Sequence, residues 1–307
     1  MQKVKIVFLV IPQVHLMDLA GPNQVFMEAI GYDAPFEIEY CSFENLITTS
    51  ALLPLGKLPD FKKVKIKAGD FLFIPGASID YIHSATFKSN TRLFNWLKAC
   101  NDAGVVMCSI CTGAFVLAES GILNGRNCTT HWKCTKELQE RYPRLNVVEN
   151  VLFTHEGSIY TSAGIASGMD LALHIVEQFQ GPLFANKVAR EMVMYNRRSG
   201  HHKQKSELLD FRNHIHSGIH KVQDWLQENL HQKHVLPDLA AIANMSDRNF
   251  TRIFKKETSL TVNAYITLLR KEKINQLISN PELSRSEIAS HCGLKSERQL
   301  SRIIHSR

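Results

Sequence analysis

The stretch VVMCSICTGAFVLAESG, residues 105–121, passes from a mostly apolar run to a helical pattern within a few residues. The run is partly β-branched, which predicts a buried strand that ends at Ile110. The small residues Ser109 and Gly113 lie two positions on either side of Cys111, a spacing typical of a tight strand–turn–helix elbow. The stretch therefore predicts a cysteine held where a strand turns into a helix.

The remainder of residues 1–195 repeats this alternation of short apolar runs and helical patterns. The predicted strands are 4–11, 36–43, 71–76, 105–110 and 147–153. The predicted helices are 22–30, 88–103, 111–120, 132–141, 165–180 and 183–195. Glu156-Gly157 lies between two β-prone flanks and predicts a hairpin over 154–162. Strands that alternate with helices predict an α/β fold, in which a mostly parallel sheet is covered on both faces.

The net charge of +7 on the 307 residues is unevenly distributed. Residues 1–195 carry 17 Lys/Arg and 18 Asp/Glu, residues 196–214 carry 5 and 2, and residues 215–307 carry 14 and 9. A basic small domain beside a neutral larger one favours nucleic-acid binding, although a solvated basic face has the same composition. The polar segment RRSGHHKQKSE, 197–207, lacks an apolar period and predicts a linker or surface connection over 196–214 between two domains.

Cysteine usage and hydropathy indicate the compartment. The seven cysteines are an odd number scattered through a large chain, which favours free thiols in a reducing environment over a disulfide framework. The N-terminal run KIVFLVI has six apolar residues before Pro12 and is followed by no small-residue cleavage site. No stretch approaches the roughly 20 apolar residues that span a bilayer. We therefore expect a cytoplasmic protein without a membrane partner.

Two segments in the last third of the chain resemble each other. LAAIANMSDRNFTRIF, 239–254, aligns with IASHCGLKSERQLSRII, 288–304, at an offset of 49 residues that becomes 50 from the pair Ser246/Ser296 onward. Each copy has a small alanine where two helices can cross closely, and a serine suited to cap a second helix. This pattern is typical of a helix-turn-helix, whose second helix enters the DNA major groove.

The outward positions of these second helices carry side chains suited to DNA. Arginine pairs with guanine and Asn or Gln with adenine, while Ser, Thr and Lys reach phosphates. The predicted DNA-binding residues are Arg248, Asn249, Thr251, Arg252, Lys255, Ser296, Arg298, Gln299, Ser301 and Arg302. A connecting helix over 262–279 would span about 27 Å, which would place the two readers about one DNA turn apart. The alternative is two packed helical hairpins whose arginines only interact with solvent.

The segments LPDLAAIANMSDRNFTRIFKKETSLTVNAYITLLRKEKINQLI and EIASHCGLKSERQLSRII resemble the AraC/XylS regulator domain over about residues 215–307. The resemblance implies an all-α domain with tandem helix-turn-helix units that read adjacent major-groove segments. Members of that family continue through a Gly-Pro-containing turn and a closing helix, whereas this sequence ends at Arg307. For that reason we expect the second unit to be less stable.

A second candidate site residue, Asp18, lies in HLMDLAGPNQVF, after the first strand and before a helix expected near Pro22. In a parallel sheet Asp18 and Cys111 would project at the carboxyl edge, where open α/β sheets bind ligands. The helix N-terminus behind Cys111 would lower the thiol pKa. His131, in TTHW, follows a strand and would border the same pocket, unless it is a structural histidine.

LAGPNQVF, CTGAFVLAESGILNGRNCTTHW and YTSAGIASGMDLALHIVE resemble the PfpI-like branch of the class I glutamine amidotransferase-like superfamily over nearly all of residues 1–195. The resemblance implies a parallel-sheet, flavodoxin-like sandwich. Together with the AraC-type tail, the chain is similar to GlxA-type regulators. That similarity implies a homodimer that responds to a small metabolite, with nitrogenous metabolites such as amino acids or quaternary amines as the expected class.

The residue after the elbow cysteine separates two hypotheses. The hydrolases of the family have a catalytic histidine there, and this chain has Thr112. Asp18, Cys111 and Thr112 are instead similar to isonitrile hydratases, in which the thiol attacks the isocyanide carbon and the carboxyl group manages protons. The preferred hypothesis is a sensor that binds its ligand at these three residues and His131 without turnover. A hydratase with an accessory DNA-binding domain, and a cysteine that merely fits a turn, are the alternatives.

A zinc site is the remaining candidate. Cys108, Cys111, Cys128 and Cys134 lie near His131 in the sequence, but Cys108 would lie inside a buried strand and the spacing does not fit a zinc ribbon. The glycines that follow apolar runs are isolated and form no phosphate-binding loop. We therefore predict no metal and no cofactor.

Overall fold

The computed structural model describes residues 3–194, 197–204, 211–278 and 283–305. The chain divides into two compact units, Met1–Gln204 and Lys205–Arg307. None of the helices that the model describes is long and apolar enough to cross a membrane.

The first unit is built on a six-stranded sheet. Its strands, with those of two small two-stranded sheets, are β1 Val4–Leu9, β2 Phe36–Cys41, β3 Ile47–Thr48, β4 Pro54–Leu55, β5 Phe71–Ile74, β6 Val106–Ile110, β7 Asn127–Cys128, β8 Asn146–Val147, β9 Phe153–Glu156 and β10 Ile159–Ser162. The large sheet has the order β2-β1-β5-β6-β10-β9, and all neighbours are parallel except β9, which is antiparallel to β10. The pairs β3–β4 and β7–β8 form the small sheets.

Helices cover both faces of the large sheet. They are α1 Leu16–Gly31, α2 Ile79–His83, α3 Ala85–Lys88, α4 Thr91–Asp102, α5 Gly113–Glu119, α6 Thr135–Arg141, α7 Ala166–Gln180 and α8 Pro182–Glu191. Side chains alternate across a strand, so Val7 and Leu9 of β1 pack into one core while Ile6 and Phe8 pack into the other. The predicted parallel-sheet α/β sandwich is confirmed.

Helix α1 begins earlier than the sequence predicted. The expected start was near Pro22, a position where proline is common, but Pro22 is the seventh residue of a helix that begins at Leu16. Pro22 is buried, and a Cβ on Gly168 of α7 would lie 3.1 Å from its Cγ atom. Packing against α7 therefore compensates for the missing backbone N–H. As a consequence, Asp18 lies in the first helical turn and not in a loop ahead of it.

The sequence is right about the hairpin near the end of the sheet and wrong about the strand before it. Strands β9 and β10 are antiparallel, and Gly157 between them has a φ of 63°. The predicted strand 147–153 does not form, because Val147 pairs with β7 in a separate small sheet and the next strand begins at Phe153. Apolar composition alone did not distinguish one buried strand from two strand ends joined by a loop.

All the secondary-structure elements in the described part of the second unit are helices. Its helices are α9 Ser217–Glu228, α10 Leu236–Ile242, α11 Asp247–Thr258, α12 Val262–Leu277, α13 Arg285–His291 and α14 Glu297–His305. The pairs α10–α11 and α13–α14 are the two copies of the repeat, and α12 connects them as predicted. A larger core contains Phe250, Phe254 and Tyr265, and a smaller one contains Ile288 and Leu300. The predicted second, all-α domain is confirmed; Ser279, the expected end of α12, lies outside the described residues.

Candidate small-molecule site and nucleic-acid interface

The elbow holds Cys111 in a conformation that non-glycine residues rarely adopt. Its φ is 55°, in the left-handed region, and its side chain is 4% exposed. The backbone N–H of Cys111 donates to the carbonyl of Ser162 at 2.9 Å, and Oγ1 of Thr130 donates to the carbonyl of Cys111 at 2.7 Å. A strained residue persists when its neighbours fix it in this way, and such residues are concentrated at functional sites.

Three glycines make room for the elbow. A Cβ on Gly113 would lie 2.1 Å from the carbonyl oxygen of the last residue of β5. A Cβ on Gly76 would lie 2.5 Å from Oδ2 of Asp18, and one on Gly164 would lie 2.3 Å from the Cβ of Cys111. The backbone at Gly76 and Gly164 therefore approaches Cys111 at distances that no side chain tolerates, and Gly113 lets the start of α5 lie against the end of β5. The sequence identified only Gly113, because the other two contacts depend on the fold.

The structure brings Asp18 to Cys111, as the sequence predicted for this edge of the sheet. The side chain of Asp18 is fully buried. Its Oδ1 accepts the backbone N–H of Ile165 at 2.6 Å, and its Oδ2 lies 3.2 Å from Nδ1 of His15. The carboxylate, the thiol of Cys111 and the ring of His15 lie within 4.8 Å of one another. The arrangement is a buried carboxylate, partnered on both oxygens and aimed at a thiol.

The sequence predicted a lowered pKa for the Cys111 thiol, and this prediction is wrong. Burial raises the pKa of Cys111 well above its usual value, and the negative charge of Asp18 raises it further. The backbone N–H of Thr112 at the start of α5 lowers that pKa, as expected of a helix N-terminus, but its effect is smaller than that of burial. The site therefore presents a protonated thiol at neutral pH, which is a poor nucleophile.

We expect Asp18→Asn to lower the pKa of Cys111. Asparagine keeps an oxygen for the N–H of Ile165 but removes the charge that raises the thiol pKa. Below the pKa, each unit of decrease raises the thiolate fraction about tenfold. The measurement is the rate of iodoacetamide alkylation at Cys111 as a function of pH, by peptide mass spectrometry. Asp70→Asn is the control, since this buried carboxylate binds backbone N–H groups elsewhere; equal profiles for both variants would contradict the prediction.

Thr112 contributes mainly to the local structure. Its Oγ1 accepts the N–H of Ala77 at 2.9 Å and donates to the carbonyl of Ala77 at 2.7 Å. These two bonds hold the loop after β5 against the elbow. They leave one lone pair of the hydroxyl for a ligand.

His131 lies near enough to Asp18 and His15 for both to influence its titration. Burial lowers the pKa of His131, Lys133 lowers it further, and Asp18 acts in the opposite direction. Its Nδ1 accepts the backbone N–H of Lys133 at 3.4 Å. The structure thus gives the site a half-buried, neutral imidazole beside the half-exposed Trp132.

Sequence reasoning missed His15 and Thr130. His15 precedes Asp18 by three residues, and residues at this spacing face each other on a helix, but the helix had been predicted to begin later. His15, Asp18 and Cys111 together offer three ligand atoms of the kinds that zinc uses. A metal bound there would have to displace the thiol proton of Cys111. No signal in the sequence singled out Thr130, which binds the elbow through a loop contact.

The predicted DNA-binding residues share one face of each second helix. The members on α11 are all exposed, while Phe250 and Phe254 on the same helix are buried. In the second copy Ser296, Arg298, Gln299 and Arg302 are exposed, and Ser301 is partly buried. Each of the two helices therefore has an exposed polar face opposite a buried apolar face.

Several of these side chains are already oriented by neighbours. Nη2 of Arg252 donates to Oδ1 of Asn249 at 2.9 Å, which holds the two candidate base readers together. Oε1 of Gln299 accepts the backbone N–H of Lys295 at 2.8 Å, and Ser301 accepts from Arg285 at 3.2 Å. Gln299 and Ser301 would have to exchange these bonds to reach DNA, whereas the guanidinium of Arg252 keeps free donors.

A basic cleft beside α14 was not predicted. It has a volume of about 560 Å³ and is lined by Lys233, Arg270 and Lys295 together with His231, His234 and Gln299, with no Asp or Glu among its lining residues. Arg270 donates to the carbonyls of Cys292 at 3.0 Å and Gly293 at 3.2 Å, which fixes its position. The cations lie far apart in the chain, so no charge run marked them. A cleft of this charge next to a reader helix suits a phosphate.

Comparisons with known proteins agree with this architecture. The model of the DJ-1/PfpI family matches residues 4–178, more than half of the chain, and a model of a helix-turn-helix domain matches residues 239–307. The HTH-type transcriptional regulator CdhR of Pseudomonas aeruginosa is 29% identical over 242 residues, which are 79% of this chain and 70% of CdhR. Those 242 residues exceed the length of the first unit, Met1–Gln204, so the likeness extends into the second.

Two further proteins are similar to the chain over a shorter part. The isonitrile hydratase of Pseudomonas putida is 26% identical over 176 residues, which are 57% of this chain and 71% of that enzyme. A solved AraC family transcriptional regulator from Pseudomonas putida covers 62% of this chain and 99% of its own, with a TM-score of 0.54 and 19% identity. At that identity the likeness shows the fold alone.

Proposed function

The chain belongs to the DJ-1/PfpI family and carries a helix-turn-helix domain, and from this premise we propose that it is a sequence-specific transcription regulator controlled by a small metabolite. The observation that carries the proposal is the pair of matched helices, α11 and α14, which expose arginine and amide side chains on one face each. The likeness to CdhR supports it, because that likeness extends over both units.

The metabolite binds, in this proposal, beside Asp18, Cys111, Thr112 and His131. A buried carboxylate next to a neutral thiol and a neutral imidazole favours a ligand that donates N–H groups or carries positive charge. A small nitrogenous metabolite has this chemistry. The proposal includes a homodimer in the cytoplasm, which light scattering and cell fractionation would test.

The test of the DNA-binding function is a pull-down of sheared genomic DNA by the purified protein near physiological salt, followed by sequencing. We expect enrichment of a few regions upstream of genes. Uniform recovery would indicate binding through charge alone and would contradict a specific regulator.

Catalysis is the second candidate, since the isonitrile hydratase is similar to the chain over 176 residues and Asp18 lies beside Cys111. Attack on an isocyanide carbon needs the thiolate, whereas burial and Asp18 keep Cys111 protonated. This contrast favours binding without turnover. Hydration of an alkyl isocyanide to the N-alkylformamide, measured by chromatography, decides between them. Turnover that disappears in Cys111→Ala would establish the enzyme.

We expect Arg252→Ala to weaken binding to an enriched DNA site by about 1–3 kcal/mol, the range for a bidentate base contact. The loss should be smaller on DNA in which the contacted base pair is replaced. Fluorescence anisotropy measures both. Lys221→Ala removes the same charge from an exposed position of α9 and is the matched control; an equal loss in both variants would reduce the role of Arg252 to net charge.

We expect Lys295→Gln to weaken specific and non-specific DNA equally. If the basic cleft takes a phosphate, the variant releases one counterion fewer, and the slope of log affinity against log salt falls by about one. Titrations between low and near-physiological salt measure this slope. The control is Lys221→Gln, for which the slope should stay constant; an unchanged slope in Lys295→Gln would exclude the cleft from the interface.

A further inference from the structure

Residues 197–204, part of the expected linker, lie against the first unit and will be called the strap. The carbonyl of Gly200 accepts the N–H of Leu152 at 2.8 Å. A Cβ on Gly200 would lie 2.6 Å from the carbonyl oxygen of Phe153, so the strap touches the start of β9 at a distance that only glycine allows. The strap is therefore a docked segment and not a free connection.

One anchor of the strap is an ion pair with a buried partner. Arg198 donates to Oδ2 of Asp170 from Nε at 3.0 Å and from Nη2 at 2.6 Å, and its backbone N–H donates to Oδ1 at 3.2 Å. Asp170 is 2% exposed. Burial raises the pKa of Asp170 despite the adjacent guanidinium, so the ionised carboxylate costs the fold free energy. A buried charge of this kind is better explained by a role in holding Arg198 than by a contribution to stability.

Arg197 holds the strap as well, since its Nη2 donates to Oε2 of Glu177 at 2.6 Å. The anchor at the other end of the strap leads directly to the elbow. Nε2 of Gln204 donates to the carbonyl of Thr130 at 3.0 Å, and its backbone N–H donates to Oδ1 of Asn150 at 3.1 Å. Thr130 is also the residue whose hydroxyl donates to the carbonyl of Cys111 at 2.7 Å. Thr130 therefore connects the end of the strap to the strained Cys111 through hydrogen bonds to both.

The ion pair between Arg198 and Asp170 is connected to the Asp18–Cys111 site through helix α7. Asp170 lies in the second turn of α7, whose N-terminus follows Gly164 and Ile165. Ile165 has a φ of 51° and donates its N–H to Asp18, and Gly164 packs on Cys111. Both anchors are thus attached to segments that touch the Asp18–Cys111 pair.

We propose that the strap reports the state of the Asp18–Cys111 site to the DNA-binding unit, an inference that rests on the proposed function of both units. Occupation or modification of the site displaces Thr130 and the first turn of α7, which weakens the hold on Gln204 and Arg198. Release of the strap makes its eight residues, 197–204, part of the tether between the first unit and the second. In the proposed homodimer a longer tether changes the effective concentration of one protomer's DNA-binding unit relative to its partner's.

Coupling of this kind is reciprocal, which allows a test before the metabolite is identified. If release of the strap and exposure of Cys111 are coupled, variants that release the strap must raise the equilibrium population of the form in which Cys111 is accessible. Alkylation of a buried thiol proceeds through that form, so its rate should rise with this population. The probe is iodoacetamide, and the readout is the alkylation rate of each cysteine in the full-length protein, by peptide mass spectrometry. Cys100 of α4, buried in the core on the opposite face of the sheet, is the internal reference.

The informative variants are Gln204→Ala and Asp170→Asn, one for each anchor. We expect either to raise the alkylation rate of Cys111 by about fivefold or more, the lower end of the range for coupled sites, while Cys100 keeps its wild-type rate. His201→Ala, an exposed position on the same strap, should leave both rates unchanged. Hydrogen exchange of the peptide 197–204 should become faster in the anchor variants and in wild-type protein alkylated at Cys111.

Thr130→Val tests the shorter route. Valine removes the hydroxyl bond to Cys111 and keeps the carbonyl that binds Gln204. In this background Gln204→Ala should raise the Cys111 rate less than it does in the wild type, so the double-mutant cycle should be non-additive.

Three results would contradict the proposed coupling between the strap and Cys111. They are wild-type Cys111 rates in both anchor variants, an equal increase at Cys100, and an equal effect of His201→Ala. The affinity for an enriched DNA fragment should also differ between wild type and Asp170→Asn, and equal affinities would overturn transmission to the second unit. The alkylation arm uses no DNA, so a pull-down without enriched regions would contradict the regulator and leave this measurement valid.

Discussion

Gly113→Ala is expected to destabilise the first unit by about 3 kcal/mol or more, at the upper end of the cost of overpacking. The reason is steric. The new Cβ would lie 2.1 Å from the carbonyl oxygen of Ile74 and 3.1 Å from its carbonyl carbon. Both atoms belong to the backbone of β5 at the centre of the sheet, so no side chain can rotate away. Helix α5 would have to separate from the strand, and Cys111 would move with it.

The measurement is hydrogen exchange of peptides from each unit, because the chain has two compact units with separate cores and a single midpoint would mix their unfolding. Gly31→Ala is the matched control. Gly31 is the last residue of α1, has no atom within 4 Å of its ideal Cβ, and lacks a positive φ. Alanine there should change stability by less than about 1 kcal/mol. Equal protection in both variants would contradict the close approach at the elbow.

The four strands 4–11, 36–43, 71–76 and 105–110 could be predicted because these segments are rich in β-branched and aromatic residues and are too short for typical helices. The start of α1 could not, because Pro22 is a strong local signal for a helix start, and only the packing on α7 overrides it. The same error concealed His15, whose contact with Asp18 exists only if the helix already runs through that segment.

The sequence indicated which residues form the site but not its electrostatics. Strand ends predicted that Asp18 and Cys111 meet, since parallel strands end at one edge of the sheet. The pKa of Cys111 depends on burial and on the distance to Asp18, which are properties of the folded chain, and both act against the helix N-terminus. The strap was hidden for a related reason. Its polar composition is typical of a linker, and its anchors, Asp170 and Thr130, are distant in sequence.

Phe254→Ala is expected to remove DNA binding by unfolding the second unit. Phe254 is fully buried, and its ring lies 5.6 Å from the rings of Phe250 and Tyr265. Loss of a buried aromatic ring costs about 3–5 kcal/mol, a large part of the roughly 5–15 kcal/mol that stabilise a typical domain. The three buried rings support the exposed face of α11 that carries Arg252. Loss of the Phe254 ring should therefore displace Arg252, although Arg252 itself is unchanged.

Exchange of peptides from α11 and α12 should rise strongly in Phe254→Ala, while peptides from β1 and β5 keep wild-type protection, because the two units have separate cores. Phe254→Leu retains most of the buried volume and should cost less than about 1.5 kcal/mol. It should keep DNA affinity close to that of the wild type. Wild-type protection of α11 in Phe254→Ala would show that the reader helix does not depend on this core. Loss of protection in β1 would show that the first unit depends on it for stability.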